Sequence, residues 1–374
     1  MLYAAYGSNL NADDLAAWAR SEGLPMPLDD SVGAGLIGDR APAFTVESAR
    51  RGGGVLDILP VPGALTPCAL YEVDEAALAL LDRKEMVPET YRRTRVTVLF
   101  PDGGATEAVA YEVRPERRRR DVVASAPYVE IVREGLHSQA LPTGWLDGAA
   151  AGDRFCVWKP RFFVYGTLMR GEARFAALRQ FGILHVRTGR TLGILLSLGA
   201  YPGLVAGPGA ERVAEEARES DDGEARGVEG ELVVLERPAE AIPVLDEIEG
   251  FPGFTEGDRD RRGSLFVRRL VSVSFLRGKP ESAWAWLWAG DIDLHGRIAD
   301  GSWRSARGVR EAFLDRLAAA YEPHLKARDD ESVRFLRSTM LGDLPEALRS
   351  GLVDEDGLVR LTTFDRAAID DEGD

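Results

Sequence analysis

The chain has 374 residues, 45% apolar and 29% charged, with a formal net charge of −15. It is longer than one core sustains and has the composition of a soluble globular protein, so two or three domains are expected. The acidic balance excludes a nucleic-acid polyanion as main partner, because phosphate binding needs a basic surface. The first predicted element is a strand over Met1–Tyr6, which runs into Gly7-Ser8-Asn9-Leu10 and then a helix over Ala12–Arg20. Strand-like and loop segments follow, up to a helix ending in ALALLDRKE (77–85). Two strands alternate apolar and polar residues, YRRTRVTV (91–98) and EAVAYEV (107–113). A helix begins at 127, carries Val129, Ile131, Val132 and Leu136, and is closed by Pro142 and Gly144.

Near Lys159 the order starts again. FFVYGTL is a strand entering Tyr165-Gly166-Thr167-Leu168, AIPVLDEIEG (241–250) is the matching helix, and FVRRLVSV (266–273) and SAWAWLW (282–288) are the matching strands. The helices share Leu-Asp-x-x-Glu, which aligns Leu81, Asp82 and Glu85 with Leu245, Asp246 and Glu249. Tyr6 precedes Glu85 by 79 positions and Tyr165 precedes Glu249 by 84; from Tyr91 to Tyr111 the second copy sits at a constant offset of 175. Four elements in one order indicate a duplicated domain. Residues 209–227 are charged and poor in large apolars, an exposed excursion. From 305 to 374 the pattern is helical, with Val309, Phe313, Leu317 and Ala320 in phase, and ends in an acidic tail. The expected organisation is therefore 1–152, 159–304 and a helical extension over 305–374.

No window approaches the roughly 18 apolar residues of a membrane span. Cys68 and Cys156 show neither metal nor redox spacing, so reduced thiols, a cytoplasmic location and no membrane partner are expected. The basic runs Arg117–Arg120 and Arg259–Arg262 read as solvated loop charge. Oligomeric state is not assigned.

The repeated Tyr-Gly phrase sends a strand sharply into a short hydroxyl residue. Its glycine permits close approach to the main chain, and its N–H groups suit an anion or a developing oxyanion. The repeated glutamates close a helix just before a turn, where a half-buried carboxylate can serve as general acid/base. Asp82 and Asp246 read as residues serving that turn. Other equipment is missing. His137, His185, His295 and His324 are scattered without ligand spacing, so no metal is expected, and no Walker loop, dinucleotide fingerprint or Gly-x-Ser-x-Gly elbow implies a cofactor or a triad. One carboxylate facing a backbone cradle suits a reaction whose nucleophile comes with the substrate.

These residues resemble the γ-glutamylcyclotransferase-like family. Tyr6-Gly7-Ser8-Asn9-Leu10 is similar to the opening motif of the γ-glutamylcyclotransferase branch, and Tyr165-Gly166-Thr167-Leu168 to that of the AIG2-like and γ-glutamylamine cyclotransferase branch. The resemblance implies an α+β fold: two mixed β-barrel domains in tandem, flanked by helices, with the C-terminal helical extension beyond them. It implies a small-molecule γ-glutamyl substrate, release of an amino acid or amine with formation of 5-oxoproline, and no metal or cofactor. By the family pattern Glu85 and Glu249 are the acid/base residues. The two phrases and the strand tyrosines Tyr91 and Tyr111 bind substrate. The alternative is a non-catalytic tandem module that binds a γ-glutamyl or carboxylate ligand or a protein partner.

Each copy departs from the pattern. The glycine usual after the glutamate is Met86 in copy one and Gly250 in copy two, while Tyr91 and Tyr111 are matched by Phe266 and Trp286. Copy two also inserts eleven residues between its glutamate and the following strand, around Thr255–Ser264.

Overall fold

The computed structural model describes residues 1–198, 201–206, 227–254, 264–290, 292 and 295–306. The excursion expected over 209–227 except for Gly227, the run Arg259–Arg262 and the helical extension beyond 306 lie outside the described residues. By contact the chain divides into two compact units, Met1–Pro160 with Arg237–Ser264, and Arg161–Glu236 with Leu265–Asp374. The repeats are a division of the sequence and the units a division by contact, so the segment carrying Glu249 is counted with the first unit.

In the first repeat β1 (Leu2–Ala5), β2 (Gly33–Ser48), β3 (Gly53–Glu72), β4 (Tyr91–Leu99) and β5 (Ala105–Val113) close a barrel in the order β1-β3-β2-β4-β5. Its pairings are antiparallel except that β1 and β5 run parallel, with Tyr3 opposite Val109. In the second repeat β6 (Phe162–Val164), β7 (Ile183–Thr191), β10 (Val228–Leu235), β11 (Phe266–Ser274) and β12 (Glu281–Trp288) close a second barrel. Matched by chain order, the strands follow the same cycle, and the parallel bridge again joins the first strand to the last, Phe162 opposite Trp284. Those partners stand 159 and 175 positions after Tyr3 and Val109, the offsets that separate the Tyr-Gly phrases and the late strands. The duplication read from the sequence is thus a duplication of register. A separate sheet joins β8 (Ile194–Ser197), β9 (Pro202–Val205) and β13 (Gly296–Arg297).

The long β2–β3 hairpin was expected only as strand-like and loop segments. Pro42, Pro60 and Pro67 lie within it, and its register shifts between Gly38 and Arg40 and between Phe44 and Val46. Such irregularities bend a strand and break its period-two pattern, so the sequence signal is lost although the pairing is not.

The helices carry their own punctuation. α1 (Ala12–Glu22) is capped by Asn11, whose side chain accepts from the Asp14 N–H. Asp74 caps α2 (Glu75–Lys84), which buries Leu78 and Leu81. Ser125 caps α3 (Ala126–Ser138), which buries Tyr128, Val132 and Leu136. Two short helices follow, α4 (Leu146–Ala150) and α5 (Ala176–Arg179), and then α6 (Pro238–Ile248), which buries Ala241, Ile242 and Leu245.

Arg117–Arg120 is not all solvated charge. Asp57 and Glu112 are fully buried, and a buried carboxylate demands partners. Arg118 Nε donates to Asp57 Oδ2 at 2.8 Å and the Arg119 N–H donates to the Thr45 carbonyl at 2.7 Å, tying that loop to the barrel. Glu112 is further paired with Arg92 at 2.6 Å and with Arg40 at 3.5 Å.

Candidate active site

Glu85 is the residue that ends α2. Past it the Met86 N–H returns to the Arg83 carbonyl at 3.4 Å, and the Val87 N–H to the Asp82 carbonyl at 2.9 Å. This doubled return is a Schellman turn, which needs its C′ residue in the left-handed region. Met86 occupies that place with φ 55°, and Gly250 occupies it in α6 with φ 66°. The Gly250 and Phe251 N–H groups there donate to the carbonyls of Glu247 and Asp246 at 3.1 and 2.8 Å. Both glutamates are therefore presented by the same turn, and both are half-buried.

Across from α2, β1 ends at Tyr6-Gly7 and Ser8–Leu10 forms a single 3₁₀ turn. Such a turn leaves its first two N–H groups without intrahelical acceptors. The Tyr128 hydroxyl from α3 lies beside this turn and accepts the Leu56 N–H at 3.4 Å. A Cβ on Gly7 would lie 3.1 Å from that hydroxyl, so a larger residue would crowd it. Gly7 has no side chain to cap the Ser8 or Asn9 N–H.

The carboxylate and the turn meet directly. Asn9 Nδ2 donates to Glu85 Oε1 at 3.0 Å and to Tyr3 Oη at 2.7 Å. Lys84 Nζ donates to Ser8 Oγ at 3.3 Å and stands 3.5 Å from Glu85 Oε1. Asn9 Oδ1 is buried and accepts no hydrogen bond.

Phenols surround this group. Tyr3, Tyr6, Tyr91, Tyr111 and Tyr128 all have pKa values raised above the ordinary phenol range, chiefly by burial, with the charge of Glu85 adding to the effect at each. Burial holds Tyr128 up at about 12. All five are thus neutral hydrogen-bond donors at physiological pH. Tyr6 Oη donates to the Tyr111 carbonyl at 2.5 Å and Tyr91 Oη to the Leu56 carbonyl at 2.7 Å. Tyr111 Oη donates to Asp82 Oδ1 at 2.8 Å, and Arg93 grips both oxygens of Asp82 at 2.8 Å. Asp82 therefore ties the last turn of α2 to β4 and β5.

In the second repeat Tyr165 is buried and donates to the main-chain carbonyl of Trp286, the equivalent of the Tyr6 bond to Tyr111. That contact needs only main chain, so it survives the replacement of tyrosine by tryptophan. A Cβ on Gly166 would meet the Pro202 ring at 2.7 Å. Thr167 is half-buried and Leu168 buried. Phe266 lacks the hydroxyl of Tyr91, but the ring of Tyr201 lies 6.1 Å from it. Glu249 belongs to the other compact unit.

A family model described as γ-glutamyl cyclotransferase, AIG2-like, matches residues 5–130 and again residues 162–305. The chain belongs to that family. The first match runs from the end of β1 past β5, and the second from β6 past β12. No curated protein sequence matches the chain. Among solved structures it is similar to a γ-glutamyl cyclotransferase at 21% identity, over 40% of this chain and 86% of that one, with a TM-score of 0.35. It is also similar to YkqA from Bacillus subtilis, at 22% identity over 41% and 54% with a TM-score of 0.34. For an AIG2-like protein from Mus musculus the identity is 21% over 35% and 77%, with a TM-score of 0.24.

Of the site residues expected in the first repeat, the structure brings Asn9 onto Glu85 and places Ser8 beside it through Lys84. Sequence reasoning missed Tyr3, Lys84 and Tyr128. Tyr3 lies in the strand expected over Met1–Tyr6, Lys84 in the helix end 77–85 and Tyr128 in the helix expected from 127. No spacing signal marks a side chain that reaches the site from another element. Among the described residues no group of His, Cys, Asp and Glu side chains is arranged to hold a metal, and no helix is long and apolar enough to cross a membrane.

Proposed function

We propose that the first repeat releases an amine or amino acid from a γ-glutamyl compound and leaves 5-oxoproline, with Glu85 as its general acid/base. The observation that carries this is the bond from Asn9 to Glu85, which sets one half-buried carboxylate against the Tyr-Gly turn. The substrate's α-amine attacks its own γ-carbonyl carbon and closes a five-membered lactam. Glu85 takes a proton from the attacking nitrogen and gives it to the departing nitrogen as the γ-carbon–nitrogen bond breaks. No water is consumed and no covalent enzyme intermediate forms. Because the nucleophile is tethered, the protein's task is to hold the folded-back conformer, and oriented attack of this kind reaches effective molarities of about 10⁵ M or more. The Asn9 N–H and the rest of the turn suit the α-carboxylate or the developing oxyanion, while the orphaned Asn9 Oδ1 suits an N–H of the substrate's α-amine. The chemistry calls for neither metal nor cofactor. Glu249 takes the same role in the second repeat by its place in the same turn.

The test is 5-oxoproline release from a panel of γ-glutamyl amino acids and amines. Glu85→Gln and Glu249→Gln each remove one repeat's turnover, and the double variant loses about 10³-fold or more. Turnover in a folded double variant at the wild-type rate would refute the acid/base assignment. A chelator leaves the wild-type rate unchanged.

A further inference from the structure

Lys84 is the residue of this site that neither the repeat nor the turn requires. A cation in the last turn of a helix complements the helix dipole and ordinarily reaches water. Its neighbour Arg83 does so, with 57% of its side chain exposed, whereas Lys84 is only 8% exposed. An ammonium has three donors, and burial of the charge is costly unless they are used. Here one donor meets the neutral hydroxyl of Ser8 at 3.3 Å and the nearest carboxylate oxygen is a long 3.5 Å away. Donor capacity on a nearly buried cation is thus left over next to Glu85. In the second repeat the Leu-Asp-x-x-Glu frame puts Ile248 at the same position, an apolar residue in place of the cation.

Resting on the cyclotransferase reading above, we propose that Lys84 sets the leaving-group specificity of the first repeat, selecting γ-glutamyl amino acids, whose departing part carries a carboxylate, over uncharged γ-glutamyl amines. Glu85 must reach the departing nitrogen to protonate it. In an amino acid the carboxylate is one carbon away from that nitrogen, within reach of a cation at Lys84. Every γ-glutamyl substrate has the α-carboxylate of the glutamyl part, so that group must be served by what the two repeats share. The position at which they differ serves the part of the substrate that varies.

γ-Glutamyl-L-alanine and γ-glutamylethylamide differ only in the departing carboxylate. With Glu249→Gln silencing the second repeat, the ratio of their kcat/KM values favours the alanine compound. Lys84→Met lowers that ratio about 10- to 100-fold, the effect of losing a charge-assisted bond, and Lys84→Arg largely restores it. A merely structural lysine would change both rates together and leave the ratio intact, which would overturn the proposal. Calorimetric binding of the two compounds to the same variants separates this inference from the catalytic one. Tighter binding of the alanine compound that depends on Lys84, without 5-oxoproline release, upholds the inference and defeats the catalytic reading. Equal binding in all variants defeats the inference.

Discussion

One amide group of Asn9 does two things at the centre of the site. Its Nδ2 donates to both Glu85 and Tyr3, which fixes the orientation, because the flipped amide would set oxygen against a carboxylate. Its Oδ1 is buried without a protein partner, an acceptor that a substrate amine can satisfy. Asn9→Leu should therefore lower kcat by about 10²- to 10³-fold while thermal stability holds, since the orphan acceptor goes with the donor. Turnover and melting temperature measured together check this, and a parallel collapse of both would make Asn9 a structural residue. Met86 makes the opposite case: it is 57% exposed at φ 55° and has little packing to lose. Met86→Gly should stabilise the fold by about 0.5–1 kcal/mol, read as a higher urea midpoint with an unchanged slope. The Tyr-Gly phrase and the glutamate were legible in sequence because each is a local pattern repeated at matched distance. The contacts of Asn9 with Tyr3 and of Lys84 with Ser8 were not, since they depend on how far one element leans toward another.

At the scale of elements, the position of Glu85 is set by the clamp one turn behind it. Arg93 holds both oxygens of Asp82 and the Tyr111 hydroxyl adds a third bond, so α2 cannot slide along β4 and β5 without breaking all three. Both charged side chains are roughly a quarter to a third exposed, which discounts the pair to well below the value of a buried one. Asp82→Asn should then cost about 1–2 kcal/mol in denaturant unfolding and also slow turnover, because α2 carries the acid/base residue. A stability loss with no change in rate would show that the turn at Glu85 holds without the clamp. The legibility of the fold divides along the same lines. α2, β4 and β5 were read with ends within about two residues because their apolar periods run unbroken. β2 and β3 were missed because bulges, prolines and burial on both faces erased the alternation.

For the whole molecule, the two repeats keep one strand cycle but differ in what they bury. The first encloses six tyrosines whose phenols are all shifted upward, with burial the leading cause in each: Tyr3, Tyr6, Tyr71, Tyr91, Tyr111 and Tyr128. A group whose folded pKa is raised contributes stability that is complete below its unfolded value and is lost as pH climbs through the folded one. For Tyr128 that window runs from the ordinary 10.0 to about 12, and Cys68, lifted by burial to about 12 from 9.0, begins to act earlier. A shift of the size seen at Tyr128 withdraws about 2–3 kcal/mol once fully titrated. Several such groups together approach the roughly 5–15 kcal/mol that a domain possesses. The first unit should consequently unfold cooperatively between about pH 10 and 12. Phenolate absorbance and far-ultraviolet circular dichroism, followed on one alkaline titration, decide it. The expected result is that the buried phenols ionise in step with loss of secondary structure. Ionisation of all the tyrosines near pH 10, with the dichroism unchanged, would mean that the barrel admits hydroxide and that its phenols are not the neutral, water-excluded wall around Glu85.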